Sequence, residues 1–191
     1  MAKPHSNDRT VPNFLGIGPP KCGTTWLERE LRRHPQVFLP RYQKEVFFFS
    51  RYYDKGPDWY TQIFENCSAY RAVGEISTNY ILKSEFLERI CNFNPEIKII
   101  TILRDPSERL LSHYKMQVEN AKSTGSLRET LQEHTYLLEY SRYAKRLSAL
   151  EKYFKYDQVF LAIFEEMFQT KTSQSAALHK IASFLDVDPA L

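Results

Sequence analysis

The stretch GIGPPKCGTTWL, residues 16–27, constrains the fold of this chain more than any other feature. The apolar segment NFL before it predicts a short buried strand, and TTWLERELRRHP predicts a helix that ends at Pro35. A strand, a glycine-containing loop and a helix in direct succession are typical of sheets whose strands alternate with helices. The loop between them is also where such sheets bind anions, because the helix N-terminus presents free N–H groups.

The rest of the chain repeats this alternation. Strands are predicted in YRAVGEIS, in the β-branched run IKIITIL and in DQVFLAIF, and helices in SEFLERICNF, TGSLRETLQEH, SRYAKRLSALEKYF and SQSAALHKIASFLDV. Residues 40–64 are rich in aromatic side chains and predict an irregular segment. We therefore predict an α/β class, a three-layer P-loop-like fold with a central parallel sheet flanked by helices. No linker or repeat divides the chain, so residues 1–191 are predicted to form a single domain.

A further helix is predicted in DPSERLLSHYKMQVEN, with Asp105 as the N-cap and Pro106 at the first helical position. Its apolar side chains are predicted to face the core: Leu110, Leu111, Tyr114 and Val118.

The composition favours a globular protein that binds a small anion. The net charge is only +3 and no Lys/Arg tract occurs, so we predict no nucleic-acid partner. Cys22, Cys67 and Cys91 are far apart and form no CxxC or Cys/His cluster, which predicts free thiols and no metal site. The first twelve residues have no apolar core and no run is long enough to span a bilayer, so we predict a cytoplasmic protein without a membrane span. No pattern indicates an oligomeric state.

The loop itself carries several groups that suit an anion. Glycines allow a tight turn, Lys21 adds a full positive charge, and Thr24 and Thr25 add hydroxyl donors at the start of the helix. In the ATP-binding Walker loop the lysine follows the second glycine directly, whereas here Lys21 precedes Gly23. The anion is therefore predicted to differ from the β- and γ-phosphates of ATP.

A second candidate anion site is LRDPSERLLSHY, residues 103–114. Arg104 follows the predicted strand IKIITIL and lies where open α/β sheets bind ligands. Its guanidinium can hold a phosphate in a bidentate grip, and Ser112, eight residues later, can add a hydroxyl. Alone, this segment is equally consistent with a helix cap flanked by a charge.

Together the two segments resemble the sulfotransferases that use 3′-phosphoadenosine 5′-phosphosulfate (PAPS). The loop resembles the family's "PKxGTTxL" element, and residues 103–114 resemble its "LRDPxxRxxSxY" element. The resemblance implies that PAPS is the donor, that Arg104 and Ser112 bind its 3′-phosphate, and that no metal is required. It implies that the 5′-phosphosulfate is bound by the loop residues Pro20, Lys21, Cys22, Gly23, Thr24, Thr25 and Trp26.

The likeness extends to the acceptor side and covers about residues 13–187. KEVFFFSRYYDKGPDWY is similar to the corresponding segment of heparan-type glycan sulfotransferases, particularly their N-sulfotransferase domains. This implies Glu45 as the catalytic base and Lys21 as the group that stabilises the leaving phosphate oxygen. The acceptor is then a hydroxyl or amine of a carbohydrate or other small molecule. On the residues alone, a surface carboxylate paired with Lys44 is the favoured interpretation of Glu45.

Other polar residues receive weaker predictions. Glu75, at a predicted strand end, orients the acceptor or Lys21, or caps the next turn. His113 is predicted to lie on a helix surface, and Arg109 to flank the nucleotide or pair with a carboxylate.

The sequence also departs from the family pattern. Some glycan O-sulfotransferases have histidine at the position of Phe47, aspartate near Ser50 and lysine at the position of Ile76. The chain ends at Leu191, before the basic loop that closes over the cofactor in the family, so we expect that loop to be missing.

Two alternatives to a PAPS-dependent enzyme remain open from the sequence. A P-loop kinase would need ATP and Mg²⁺, and the position of Lys21 argues against it. A catalytically inert nucleotide-binding protein would bind the donor without transferring its group, and the departures above favour this alternative.

Overall fold

A computed structural model describes residues 11–41 and 43–190. Within these ranges a five-stranded sheet is present, and every neighbouring pair of its strands is parallel. The strands are β1 (Phe14–Gly16), β2 (Val37–Phe38), β3 (Ala72–Ile76), β4 (Lys98–Leu103) and β5 (Val159–Ile163). They lie in the order β2-β3-β1-β4-β5, so β1 is the central strand. The predicted parallel α/β sheet is confirmed.

Helices connect the strands. They are α1 (Thr24–Arg33), α2 (Gly56–Gln62), α3 (Ser84–Phe93), α4 (Pro106–Glu119), α5 (Leu127–Glu133), α6 (Tyr136–Glu139), α7 (Tyr143–Tyr153), α8 (Phe164–Met167) and α9 (Lys171–Phe184). Asp105 caps α4 as predicted, because its carboxylate accepts from the N–H groups of Ser107 and Glu108. The segment predicted to be irregular contains the short helix α2, which begins with Gly56 and Pro57.

The sheet separates two hydrophobic cores, which gives the three predicted layers. Leu15 and Ile99 point into the core formed with α2, α3 and α7. Their neighbours Phe14 and Ile100 point into the opposite core, formed with α1, α8 and α9. This alternation along β1 and β4 follows from the two-residue period of a strand.

Three loops meet at the carboxyl edge of the sheet, beyond the end of β1. Gly16 is paired with Ile76 of β3 and Ile100 of β4. The N–H of Ser77 donates to the carbonyl of Gly16 at 2.8 Å, so the chain after β3 stays against the chain after β1. The order of strands reverses at β1, which is where open α/β sheets bind ligands.

The orientation predicted for α4 is wrong for two of its four apolar residues. Leu111 and Val118 are 39% and 43% exposed, whereas the buried residues of α4 are Arg109, His113 and Gln117. These polar residues also recur every fourth position, and Arg109 and His113 lie against α6 and the residue Ser141 that follows it. The inward face is polar because it meets a carbonyl and a hydroxyl that only the tertiary structure brings there.

No helix in the described ranges is long and apolar enough to cross a membrane. The prediction that no leader is present concerns residues that lie mostly outside those ranges.

Candidate active site

The anion loop, residues 18–26, has the backbone of an anion-binding nest. Lys21 and Gly23 both have positive φ, 70° and 85°, directly before α1 begins. Gly23 caps α1 without any side-chain hydrogen bond, and the first turn carries no acidic residue. Among the described residues, the N–H groups from Lys21 to Trp26 find no acceptor. This row of donors and the positive end of α1 are free to hold an anion.

Gly18 anchors the anion loop against the neighbouring strands. Its φ is +94°, and a Cβ at this position would lie 2.1 Å from the carbonyl oxygen of Thr78. The hydroxyl of Thr101 on β4 donates to the carbonyl of Gly18 at 2.5 Å. Only glycine allows this approach, so the loop is held between the ends of β3 and β4.

The predicted side chains of the anion loop have different environments. Thr24 is buried, whereas Thr25 is exposed and its Oγ1 accepts from Nζ of Lys44 at 2.6 Å. Trp26 packs edge-to-face on Phe168, with ring centroids 5.1 Å apart. The hydroxyls of Thr24 and Thr25 therefore do not form one group of donors. Most of the donors that the loop offers to an anion are its backbone N–H groups.

Pro20 and Cys22 contribute shape rather than charge. Proline has no N–H to offer a ligand. The carbonyl of the half-buried Pro20 accepts a hydrogen bond from the Cys22 thiol, with the oxygen 3.8 Å from Sγ. Cys22 is fully buried, and burial raises the pKa of its thiol to about 12. The thiol is therefore neutral at physiological pH, and this residue presents only its backbone N–H to a ligand.

Arg104 leaves β4 beside the anion loop. Its guanidinium lies over the ring of Phe164 at 4.6 Å and approaches the carbonyl of Lys21 at 3.4 Å. The contact with Glu108 is 3.5 Å long and involves a largely exposed carboxylate, so it is a weak competitor for a ligand anion. The buried Nε of Arg104 has no hydrogen-bond partner among the described residues. This unpaired donor next to the anion loop fits a phosphate oxygen.

Ser112 is half-buried on α4, and its side chain forms no hydrogen bond to any residue described. It follows Glu108 by four residues and lies on the same face of the helix, one turn further from Arg104. Its hydroxyl is thus free for a ligand, but it does not contact Arg104.

Glu45 is not the surface carboxylate paired with Lys44 that the alternative required. Its Oε1 accepts from the N–H of Thr78 at 3.1 Å and from the Thr78 hydroxyl at 2.6 Å. The carbonyl of Thr78 also packs against Gly18 of the anion loop. Glu45 is therefore held beside that loop. Lys44 meets Thr25 instead, from the same stretch of chain.

Glu75 holds the segment that carries Glu45, which we call the base segment (residues 44–49). It is completely buried and receives hydrogen bonds from the N–H of Val46 at 3.1 Å, from Tyr60 at 3.0 Å, from Tyr80 at 2.8 Å and from Ser77 at 2.5 Å. Burial raises the pKa of this carboxyl, although the hydrogen bonds oppose the shift. Glu75 contacts neither Lys21 nor a helix cap, so of the predicted roles only an indirect orienting one remains.

Arg109 and His113 form a buried polar cluster on α4, contrary to the prediction of a surface histidine. Arg109 donates to Ser141 Oγ at 2.7 Å and to the carbonyl of Leu137, and contacts His113 Nδ1 at 3.2 Å. It pairs with no carboxylate in the described ranges. Burial first, then the charges of Arg109 and Lys21, lower the pKa of His113 to about 4. The imidazole is therefore neutral near pH 7.

Several supporting residues were missed in the sequence. Thr78 positions Glu45 through a hydrogen bond, and the ring of Phe164 packs against the guanidinium of Arg104. The Tyr143 hydroxyl donates to the carbonyl of Arg104 at 2.7 Å. Thr78 follows a buried strand and Phe164 follows β5, both at the carboxyl edge of the sheet. That position was the available signal, because polar and aromatic residues directly after parallel strands line ligand sites.

A family model of the sulfotransferase domain matches residues 12–190. The chain belongs to the sulfotransferase family. The predicted resemblance to this family of PAPS-dependent enzymes is thereby confirmed.

Curated relatives match part of the chain. It is 35% identical to the membrane-associated sulfotransferase kil1 of Dictyostelium discoideum over 119 residues, which are 61% of this chain and 25% of the relative. It is 41% identical to human bifunctional heparan sulfate N-deacetylase/N-sulfotransferase 3 over 114 residues, 56% of this chain and 13% of the relative. The chain thus spans a quarter or less of the length of these relatives.

A solved structure matches almost all of the chain. The crystal structure of a sulfotransferase from Alicyclobacillus acidocaldarius superposes with a TM-score of 0.83 at 29% identity. The superposition covers 95% of this chain and 83% of that one, so the two share the same fold.

Proposed function

We propose that this chain binds PAPS at the anion loop and Arg104, and transfers its sulfuryl group to a hydroxyl or amine with Glu45 as general base. The observation that carries the proposal is the position of Glu45 beside the anion loop. Thr78 joins the two, because it binds the Glu45 carboxylate at 2.6 Å and packs its carbonyl against Gly18.

The described residues fit the two anionic ends of PAPS. The free N–H groups of the anion loop and the charge of Lys21 suit the 5′-phosphosulfate. The unpaired Nε of Arg104 suits the 3′-phosphate, with the free hydroxyl of Ser112 as a second donor. PAPS supplies an activated sulfuryl group, and the protein supplies position and charge.

Each residue of the site has one task in the transfer. Glu45 accepts the proton that the acceptor hydroxyl or amine loses as its oxygen or nitrogen bonds to sulfur. The bond between sulfur and the bridging oxygen of the 5′-phosphate breaks, and its electron pair remains on that oxygen. Lys21 stabilises the resulting negative charge, and the products are the sulfated acceptor and adenosine 3′,5′-bisphosphate.

A carbohydrate is the proposed acceptor class. The base segment continues into a strip in which exposed cations lie over half-buried aromatic rings: Arg51 over Phe47 at 5.5 Å and Lys55 over Trp59 at 4.7 Å. Such pairs suit a sugar that carries carboxylate or sulfate groups. Relatives named for heparan sulfate sulfotransfer support the same class.

Calorimetry with adenosine 3′,5′-bisphosphate, AMP and ATP·Mg²⁺ tests donor binding. We expect selective binding of the bisphosphate, which falls at least about tenfold in Lys21→Ala and Arg104→Ala because each removes a charge-assisted contact. Lys180→Ala, an exposed lysine on α9, is the matched control and should bind normally. Preference for ATP·Mg²⁺ would support the kinase alternative instead.

Transfer is tested with PAPS and heparan sulfate stripped of its N-sulfates. Wild type should release adenosine 3′,5′-bisphosphate in an acceptor-dependent manner, and Glu45→Gln should bind the bisphosphate but not turn over. Binding without transfer to any hydroxyl or amine acceptor would support the inert nucleotide-binding alternative.

A further inference from the structure

Lys44 connects the anion loop to the base segment. Its Nζ donates to Oγ1 of Thr25 at 2.6 Å, and Thr25 is the exposed hydroxyl residue of the anion loop. In the chain, Lys44 directly precedes Glu45, the proposed base. Lys44 thus places a cation against the anion loop, from the position next to the proposed base.

The charge of Lys44 has no close carboxylate partner among the described residues. Its ion pair with Glu28 is 3.9 Å long, and Glu28 binds Arg32 at 2.8 Å through its other oxygen. Glu45 directs its Oε1 to Thr78 rather than to Lys44. An ammonium has three donors, and only one is used at hydrogen-bond distance. The side chain is 35% exposed, so the remaining donors are open to a ligand.

We propose that Lys44 is a second catalytic cation, which binds the non-bridging oxygens of the sulfuryl group during transfer. This inference rests on the proposed function. In sulfuryl transfer, as in phosphoryl transfer, charge is spread over the oxygens of the group in transit as well as over the leaving oxygen. Lys21 serves the leaving oxygen, and Lys44 serves the group that moves towards the acceptor.

The position of Lys44 suits this division of tasks. Thr25 lies in the first turn of α1, whose free N–H groups form part of the proposed anion site, so the Lys44 ammonium is already at the edge of that site. Lysine acts as a compact point charge on a flexible stem, and it can exchange the Thr25 hydroxyl for a sulfuryl oxygen with a small movement.

The test compares two ligands that differ only by the sulfuryl group. Affinities for PAPS and for adenosine 3′,5′-bisphosphate are measured by calorimetry without acceptor, for wild type, Lys44→Gln and Lys44→Arg. Glutamine keeps a donor for Thr25 but removes the charge, whereas arginine keeps the charge. Lys180→Gln is the control for loss of a lysine elsewhere on the surface.

In Lys44→Gln we expect PAPS affinity and the turnover number at saturating donor to fall about tenfold each, with bisphosphate affinity unchanged. Lys44→Arg should recover most of both losses. Equal loss for the two ligands, or no loss for either, would overturn the inference, while bisphosphate binding by wild type would still support the proposed function. If wild type binds neither ligand, the proposed function fails and the inference fails with it.

Discussion

Thr78 binds one oxygen of Glu45 twice, through its N–H at 3.1 Å and its hydroxyl at 2.6 Å. Both bonds end on Oε1, and Oε2 accepts no hydrogen bond from any side chain or backbone N–H described. One carboxylate oxygen is therefore fixed while the other is free to take a proton. This arrangement orients the carboxylate without blocking it, as the proposed role of general base requires.

Replacement of Thr78 by valine should weaken catalysis without weakening donor binding. Valine removes the hydroxyl bond to Glu45 but keeps the N–H bond and nearly the same volume, so we expect the turnover number to fall about tenfold. Initial rates at saturating PAPS measure this, with bisphosphate affinity as the second readout. Thr78→Ser keeps the hydroxyl and should stay within about twofold of wild type; a loss in serine as large as in valine would contradict the positioning role.

Glu45→Gln should abolish turnover while leaving the fold intact. The amide cannot accept the acceptor's proton, so we expect a fall of at least about 100-fold in the turnover number. Quenched-flow or steady-state rates at saturating PAPS and acceptor would detect it. Retention of more than about a tenth of the wild-type rate would exclude Glu45 as the base.

Gly18→Ala should damage both stability and donor binding. The added Cβ would meet the Thr78 carbonyl at 2.1 Å in a backbone with φ of +94°, so we expect a loss of more than about 2 kcal/mol of unfolding free energy. Gly56→Ala is the matched control: φ is +80°, but nothing lies within 4 Å of its Cβ. Urea denaturation should therefore show a smaller loss, of about 1 kcal/mol, and normal bisphosphate binding for Gly56→Ala. Similar losses of unfolding free energy in both variants would mean that the positive φ alone, and not the contact with Thr78, destabilises Gly18→Ala.

Glu75→Gln should change how stability depends on pH. Burial raises the pKa of Glu75 above its ordinary value of 4.5, so the folded state holds this proton more tightly than the unfolded state. The stability that this proton contributes is complete below pH 4.5 and is lost as pH rises through the folded pKa. We therefore expect the advantage of wild type over Glu75→Gln to shrink as pH rises above 4.5.

Urea denaturation of both proteins from about pH 4 to pH 8 measures that difference. The variant also loses an acceptor for Val46 or Ser77, which costs about 1–3 kcal/mol throughout. A difference that stays constant with pH would show that Glu75 does not titrate in this range.

His113 should make the protein sensitive to acid. Its folded pKa of about 4 lies below the ordinary 6.5, so the unfolded state binds a proton more readily. The stability contributed by the neutral imidazole is present above pH 6.5 and is lost as pH falls towards 4. His113→Gln should lose stability less steeply than wild type over this interval, as followed by thermal unfolding. An equal slope in both proteins would contradict burial of a neutral His113.

The elements that local pattern defines were predicted well. The β-branched run of β4, the anion loop and the Asp105 cap each depend on residues that are adjacent in the chain. The side chains of the loop are less predictable, because the hydroxyl of Thr25 meets Lys44, nineteen positions away.

The face of α4 was mispredicted for a related reason. Both Leu111 and Val118 on one side and Arg109 and His113 on the other follow a helical period. The polar stripe is the buried one, because it finds Ser141 and the carbonyl of Leu137 on elements that approach only in the folded chain. Periodicity identifies a helix, but the partners of a buried cation cannot be read from it.

The central strand β1 separates the two parts of the proposed site, the donor contacts and the base segment. The proposed donor contacts lie on the β1 and β4 side, with Arg104 supported by Phe164 after β5. The base segment lies between β2 and β3 in the chain and is anchored from β3 by Glu75. The largely exposed residues 51–58 can change while Glu75 and Thr78 continue to position the base segment and Glu45. Residues 51–58 are thus the natural segment to exchange when the proposed acceptor preference is to be altered without changing Glu45 or the proposed donor contacts.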